Sequence, residues 1–221
     1  MTIRLLPSSC LNRAAAALSA LLAVCGSGAL AQTPGLIDFH SPTFTTNNQP
    51  VPFDFGSNAE LATDFRDARL ADTPLLYWTE GYSHITSGIF AQGGDTLARA
   101  QARLQPLNGQ SLVLDSIDFG FYRLNPNVTL LLTIDDLATP GVDADYSFAR
   151  TGPAGGTMSL GLASSAGFLL RWGPNADDGG LNNFRYHFAP LPSVPEPATA
   201  ALLLVGLAGV ARAARPRPPR R

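Results

Sequence analysis

There is no lysine anywhere in these 221 residues, and only three histidines and two cysteines. Both cysteines, Cys10 and Cys25, fall near the N-terminal end, so the body of the chain has neither a disulfide nor thiol chemistry. Small exported folds usually rely on disulfide staples, but about 160 residues can bury a single core without them. The histidines His40, His84 and His187 stand apart, with no HExxH motif and no Cys pair to complete a zinc site; they are read as structural. A nucleophile elbow is missing too, since Gly161-Leu162-Ala163-Ser164-Ser165 lacks the Gly-x-Ser-x-Gly arrangement. Sustained helical periodicity is scarce, and no apolar run reaches the roughly 20 residues that a stable membrane span wants.

Charge is sparse and segregated. Of 15 basic residues, two (Arg4, Arg13) lie near the N-terminus and five cluster near the C-terminus, leaving 8 between Gln32 and Pro192. That interval holds 16 of the 17 acids, for a net charge of 8 − 16 = −8. An acidic surface excludes nucleic acid and anionic lipid as partners through a basic patch. It leaves carboxylates available for cations.

What is present begins with the two ends. Arg4 and Arg13 precede the apolar stretch Ala14 to Val24, and small residues then lead to Ala29-Leu30-Ala31. This is a signal-peptide pattern over residues 1–31, with Ala29 and Ala31 framing cleavage by signal peptidase. At the other end Pro195-Glu196-Pro197 is followed by an apolar segment, Ala198 to Ala211, and then by Arg212, Arg215, Arg217, Arg220 and Arg221. As a helix that segment spans only ~21 Å at ~1.5 Å per residue, against a bilayer core of ~30 Å. It can pause in a membrane, with Arg212 and Arg215 snorkelling to the headgroups, but it is short for a permanent anchor. With arginines outside both apolar segments, the positive-inside rule keeps both ends cytoplasmic and exports the middle.

Between the ends, short segments of β-formers alternate with turn chemistry. Leu75–Trp78, His84–Phe90, Thr96–Leu104, Leu112–Arg123, Val128–Ile134, Tyr146–Ala149, Thr157–Leu162, Phe168–Trp172 and Leu181–Phe188 read as strands. In Leu112–Arg123, Val113, Ile117, Phe119 and Phe121 are expected to face one way. Such spacing predicts an all-β fold, an antiparallel β-sandwich of jelly-roll type, over residues 32–192. One helix is expected at Ala59–Leu70, capped by Asn58, with Leu61, Phe65 and Leu70 as its apolar stripe. Gln32–Pro50 reads as a polar, poorly patterned lead-in.

The tail resembles a PEP-CTERM sorting signal. That resemblance rests on Pro195-Glu196-Pro197, the apolar run and the arginine cluster in that order, and divides the end of the chain into a sorting and anchor segment, 193–217, and a basic end, 218–221. It implies a short C-terminal hydrophobic helix read and removed by a membrane-embedded exosortase, delivery to the surface of a Gram-negative cell, and association with exopolysaccharide or biofilm. Gly179-Gly180-Leu181-Asn182-Asn183-Phe184-Arg185-Tyr186 also resembles the last strand of jelly-roll domains that precede such tails, with Asn182 where that pattern has Asp.

Candidate chemistry in the middle is diffuse. Asp115/Asp118, Asp135/Asp136, Asp143/Asp145 and Asp177/Asp178 are paired carboxylates of the kind a glycoside hydrolase or lyase uses. Asp177 and Asp178, with Asn175 before a Gly pair, are the best calcium ligands, because Ca²⁺ takes 6–8 oxygens from flexible loops; no other cofactor is implied. Tyr77, Trp78 and Trp172, and after them Tyr82 and Tyr122, are candidates for stacking on sugar rings. Since strand neighbours point to opposite faces, one of Tyr77 and Trp78 is expected outward or in a groove. The leading expectation is a non-catalytic surface or matrix protein; a carbohydrate-active enzyme and a purely structural protein are the alternatives.

Overall fold

The computed structural model describes residues 34–40, 43–70, 72–93, 97–107, 109–122, 127–139, 144–190 and 206–207. The chain divides into two compact units, Met1–Gln32 and Thr33–Arg221, and every described residue belongs to the second. The signal-peptide residues Ala29 and Ala31, the motif Pro195, Glu196 and Pro197, and the arginines 212, 215, 217, 220 and 221 lie outside the described residues. Within the tail only Gly206 and Leu207 are described, both helical.

Among the described residues, twelve strands form two antiparallel sheets packed face to face: β1 (Gly35–Ile37), β2 (Gln49–Pro50), β3 (Leu61–Asp67), β4 (Leu76–Trp78), β5 (Gly88–Phe90), β6 (Ala100–Pro106), β7 (Ser111–Phe121), β8 (Thr129–Asp136), β9 (Tyr146–Thr151), β10 (Gly156–Ser164), β11 (Phe168–Gly173) and β12 (Gly179–Ala189). One sheet runs β10-β7-β12-β5-β4-β2, with β1 also paired to β12; the other runs β3-β6-β11-β8-β9. The expected sandwich is therefore present.

Alternation explains most of the packing, because a period of two sends one face of each strand inward. Leu61 and Phe65 of β3, Leu104 of β6, Leu130, Leu132 and Ile134 of β8, and Phe168, Leu170 and Trp172 of β11 are all buried. They meet Leu112, Leu114, Ile117 and Phe121 of β7 and Leu181, Phe184 and Tyr186 of β12 in one core. Small residues sit beside large ones: Ala102 lies between Phe65 and Leu170, and Ala100 pairs with Trp172. Phe39 links the sheets, with ring centroids 5.2 Å from Phe65 and 6.1 Å from Phe184.

Three expectations need correction. The segment 59–70 is not a helix; its centre is β3, paired with β6 from Leu61↔Pro106 to Asp67↔Ala100. Leu61 and Phe65 are four apart, a spacing that serves a helix stripe and a strand face equally. The buried Thr63 and Asp67 between and beyond them decide for the strand. Asn58 caps no helix: its Oδ1 accepts from the backbone N–H groups of Glu60 (2.8 Å) and Leu61 (2.9 Å), turning the chain into β3. Leu70 is exposed. Second, Val113 does not share a face with Ile117, Phe119 and Phe121. Ser116 pairs with Arg185 and Leu114 with Tyr186, so Asp115 is an extra residue that shifts the phase of β7. Leu112 and Leu114 thus point inward instead. Third, the polar lead-in contributes β1 and β2 and buries Ile37, Phe39 and Phe44.

Candidate functional site

Strand β4 sends consecutive aromatics to opposite sides. Tyr77 goes into the core, 2 % exposed, and stacks on Phe44 at 4.7 Å. Trp78 is half-buried on the other side, where it stands edge-on to Phe90 (6.1 Å, 86°) and Tyr122 (5.6 Å, 83°). The chain then turns at Gly81, whose φ of +84° is a conformation glycine adopts without strain. A Cβ there would come within 2.7 Å of the Tyr122 ring. Tyr82 forms a β-bridge with Tyr122, and their rings lie 5.7 Å apart at 61°.

The far wall comes from the turn that leads into β12. Asn175, at φ +67°, offers its carbonyl to the N–H groups of Asp178 (3.1 Å) and Gly179 (2.9 Å). The Asp178 carbonyl in turn accepts from the Tyr122 N–H at 2.8 Å. Gly180 follows, and the Tyr82 ring lies across it so closely that an added Cβ would meet Cζ at 2.7 Å. Trp78, Tyr82, Phe90, Tyr122, Asp177 and Asp178, with Asn48 beside them, enclose a hollow of about 140 Å³. Three aromatics and two carboxylates singled out separately in the sequence thus come together here.

The described lining of the hollow carries two carboxylates, Asp177 and Asp178. Burial, then the charges of Asp178 and Asp177, then Tyr122 push the Tyr82 hydroxyl far above the ordinary tyrosine range. That hydroxyl stays neutral and can donate. The Trp78 indole N–H is buried and has no hydrogen-bond partner among the described residues, a costly arrangement unless something else receives it. Calcium suits the walls poorly: rings occupy the positions where Ca²⁺ would need most of its six to eight oxygens. Among the described residues no group of three or more His, Cys, Asp or Glu converges as a metal site.

Trp172, by contrast, is 1 % exposed in the core, so its ring presents no free face to a sugar, and neither does that of Tyr77. Another hollow, about 220 Å³, opens beside β11 near Leu131, Thr133, Arg171 and Trp172. The one aromatic in its described lining is the core residue Trp172, and Arg171 is paired there with Asp135.

The other acidic pairs hold the fold together. Asp115 pairs with His187 at 2.9 Å. Asp118, 5 % exposed, accepts from Arg185 (3.1 and 3.2 Å), Thr157 Oγ1 (2.6 Å) and Asn183 Nδ2 (2.7 Å). Burial alone would push its carboxyl up, but these hydrogen bonds and the Arg185 charge outweigh it and hold the group below its usual range. Asp136 accepts from Ser164 Oγ and from the Ala138 N–H, and Asp145 accepts from the Asp136 N–H at 2.6 Å. Asp143 lies outside the described residues.

Asn182 was the least legible of the structural residues. It is fully buried, and its Oδ1 accepts from the N–H groups of Phe39 (2.9 Å) and Asn183 (2.7 Å). Its Nδ2 donates to the Ser87 carbonyl (3.0 Å) and Ser87 Oγ (3.2 Å). The position needs an acceptor and a donor together, which Asn supplies and an ionised Asp does not. The sequence signal was the Asn itself, standing between Leu181 and Asn183 in an otherwise apolar-rich strand.

Fold and pocket define an all-β, two-sheet antiparallel sandwich with an acidic, aromatic-walled hollow near its surface. No family model, no curated protein and no solved structure matches the chain.

Proposed function

We propose that this is an exported, non-catalytic protein of the cell surface or extracellular matrix, delivered by a cleavable signal and sorted through its C-terminal segment by an exosortase. The observation that carries the reading is the order of Pro195-Glu196-Pro197, apolar run and arginine cluster, matched by a signal-peptide pattern at the opposite end. A disulfide-free sandwich with an acidic middle suits passage across a membrane and life outside it. Association with exopolysaccharide follows from the resemblance of the tail.

The test is fractionation of the native host expressing the chain with an epitope inside the sandwich. The expected result is a shortened form at the surface or in the matrix. Replacing Pro195, Glu196 and Pro197 with Ala should leave an unshortened form in the inner membrane. An identical distribution for both versions would refute sorting through this motif.

A further inference from the structure

The geometry points to a cation pocket: the rings of Trp78, Tyr82 and Tyr122, closed by the carboxylates of Asp177 and Asp178, take a small alkylammonium group. The shared chemistry is a positively charged nitrogen with apolar carbon around it. Two sources fit it, the protonated amine of a deacetylated amino sugar or a quaternary ammonium group such as choline. The polysaccharide source rests on the surface-matrix reading above; the chemistry of the pocket does not.

Four features carry this. The first is shape. A pyranose stacks on an open, flat ring, whereas here Trp78 meets Phe90 and Tyr122 at 86° and 83° and Tyr82 meets Tyr122 at 61°. Rings at steep angles wall a hollow rather than pave a platform, and such aromatic cages recognise alkylammonium groups through the negative faces of their π-systems. The second is size. At about 140 Å³ the hollow is smaller than the ~300 Å³ at which sites for drug-sized ligands begin. It is close to the ~150 Å³ of an engineered cavity that holds benzene. A trimethylammonium or aminomethine group fits that scale, and a whole saccharide does not.

Third, the described lining carries carboxylates. Asp178 and Asp177 line the hollow, and after burial, the larger cause, their charges add to the upward push on the Tyr82 hydroxyl. A neutral Tyr82 keeps its ring and hydroxyl available without adding charge. Fourth, the walls are built for the purpose of keeping rings in place. Gly81 and Gly180 are the spots where any side chain would collide with Tyr122 and Tyr82 respectively. The buried Trp78 N–H, without a partner among the described residues, adds a donor that a hydroxyl next to the charged nitrogen can accept.

The experiment uses the full chain purified in a non-ionic detergent, with Trp172→Phe introduced so that Trp78 is the sole indole reporter among the two tryptophans. Choline chloride, tetramethylammonium chloride and glucosamine oligomers are titrated against Trp78 fluorescence and by calorimetry. Controls are 3,3-dimethylbutanol, the uncharged isostere of choline, and N-acetylglucosamine oligomers. The expected result is saturable binding of at least one cationic probe, about tenfold or more weakened when the charge is removed from the probe. Asp178→Asn, a change at a half-buried rim position, should weaken binding several-fold with the melting temperature little changed. Trp78→Ala should abolish it. Binding of glucosamine oligomers over their acetylated forms identifies a polysaccharide amine as the source. Binding of choline alone upholds the pocket and counts against the polysaccharide part of the functional reading. Equal binding of choline and its uncharged isostere, or no saturable binding of any cationic probe, overturns the proposal while leaving tail-directed sorting standing.

Discussion

Asn182→Ala is expected to be among the most damaging single substitutions in the described sandwich. The side chain is fully buried and makes four hydrogen bonds, two accepted from Phe39 N–H and Asn183 N–H and two donated to Ser87. Truncation leaves two backbone donors and one backbone carbonyl without these partners. Ser87 Oγ keeps its bond to the Phe39 carbonyl, so one corner survives. A buried group stripped of its partner costs about 1–3 kcal/mol, and partial relaxation or an admitted water offsets some of it. The expected loss is about 3–5 kcal/mol from a total of about 5–15 kcal/mol for a domain. For a domain of this size that lowers the melting temperature by about 6–20 °C. Asn182→Asp separates the donor from the acceptor. At neutral pH its carboxylate can still accept from Phe39 and Asn183 but meets the Ser87 carbonyl with no proton between them. Burial makes the ionised form costly, so the variant should recover part of its stability as pH falls and the carboxyl becomes protonated. Urea unfolding of both variants at pH 7 and pH 4 is the assay. A loss under about 1 kcal/mol for Asn182→Ala, or an Asn182→Asp variant as stable at neutral pH as the parent, would refute the reasoning.

Three further outcomes follow from the geometry. Asp118 has its carboxyl held below the usual range by Arg185, Thr157 and Asn183 against the opposing effect of burial, so its contribution is present above the unfolded value of about 3.9 and disappears as pH falls through the lower folded value. Asp118→Asn should therefore cost about 1–3 kcal/mol at pH 7, discounted because Arg185 is partly exposed, and the gap to the parent should narrow in urea titrations as pH falls below the usual carboxylate range. Trp172→Ala should cost about 3–5 kcal/mol through the cavity it leaves, whereas Trp172→Phe should cost much less, because it also removes a buried indole N–H that has no partner among the described residues; thermal unfolding compares them. Gly180→Ala places a methyl group 2.7 Å from Tyr82 Cζ, which should cost about 1–3 kcal/mol and displace the ring, seen as a changed near-ultraviolet tyrosine signal and weaker choline binding.

Much of the architecture was legible because burial on one face writes a period of two into the sequence. β8 and β11 have that signature in Leu130, Leu132, Ile134 and in Phe168, Leu170, Trp172. Where another period fitted equally well the reading failed, as at Leu61 and Phe65, which a helix and a strand both accommodate. It failed again inside β7, where the extra residue at Asp115 inverted the faces. Phe39 and Phe44 were hidden because they are buried from irregular chain, where no alternation marks them. The aromatic hollow was legible only as separate parts. Tyr77 and Trp78 announced one inward and one outward ring, but the sequence did not say which. The meeting of Trp78 with Tyr122 and Asp178 depends on the pairing of Tyr82 with Tyr122 and on the turn at Asn175, neither of which leaves a local pattern.

The claim that organises the rest is that both ends of this chain are handles removed on the way out of the cell. Intact-mass measurement of the protein recovered from the surface of its native host tests it most directly. The expected species begins at Gln32 and lacks the apolar run and the arginines from 212 to 221. A species of full length, from Met1 to Arg221, found soluble in the cytosol would contradict it.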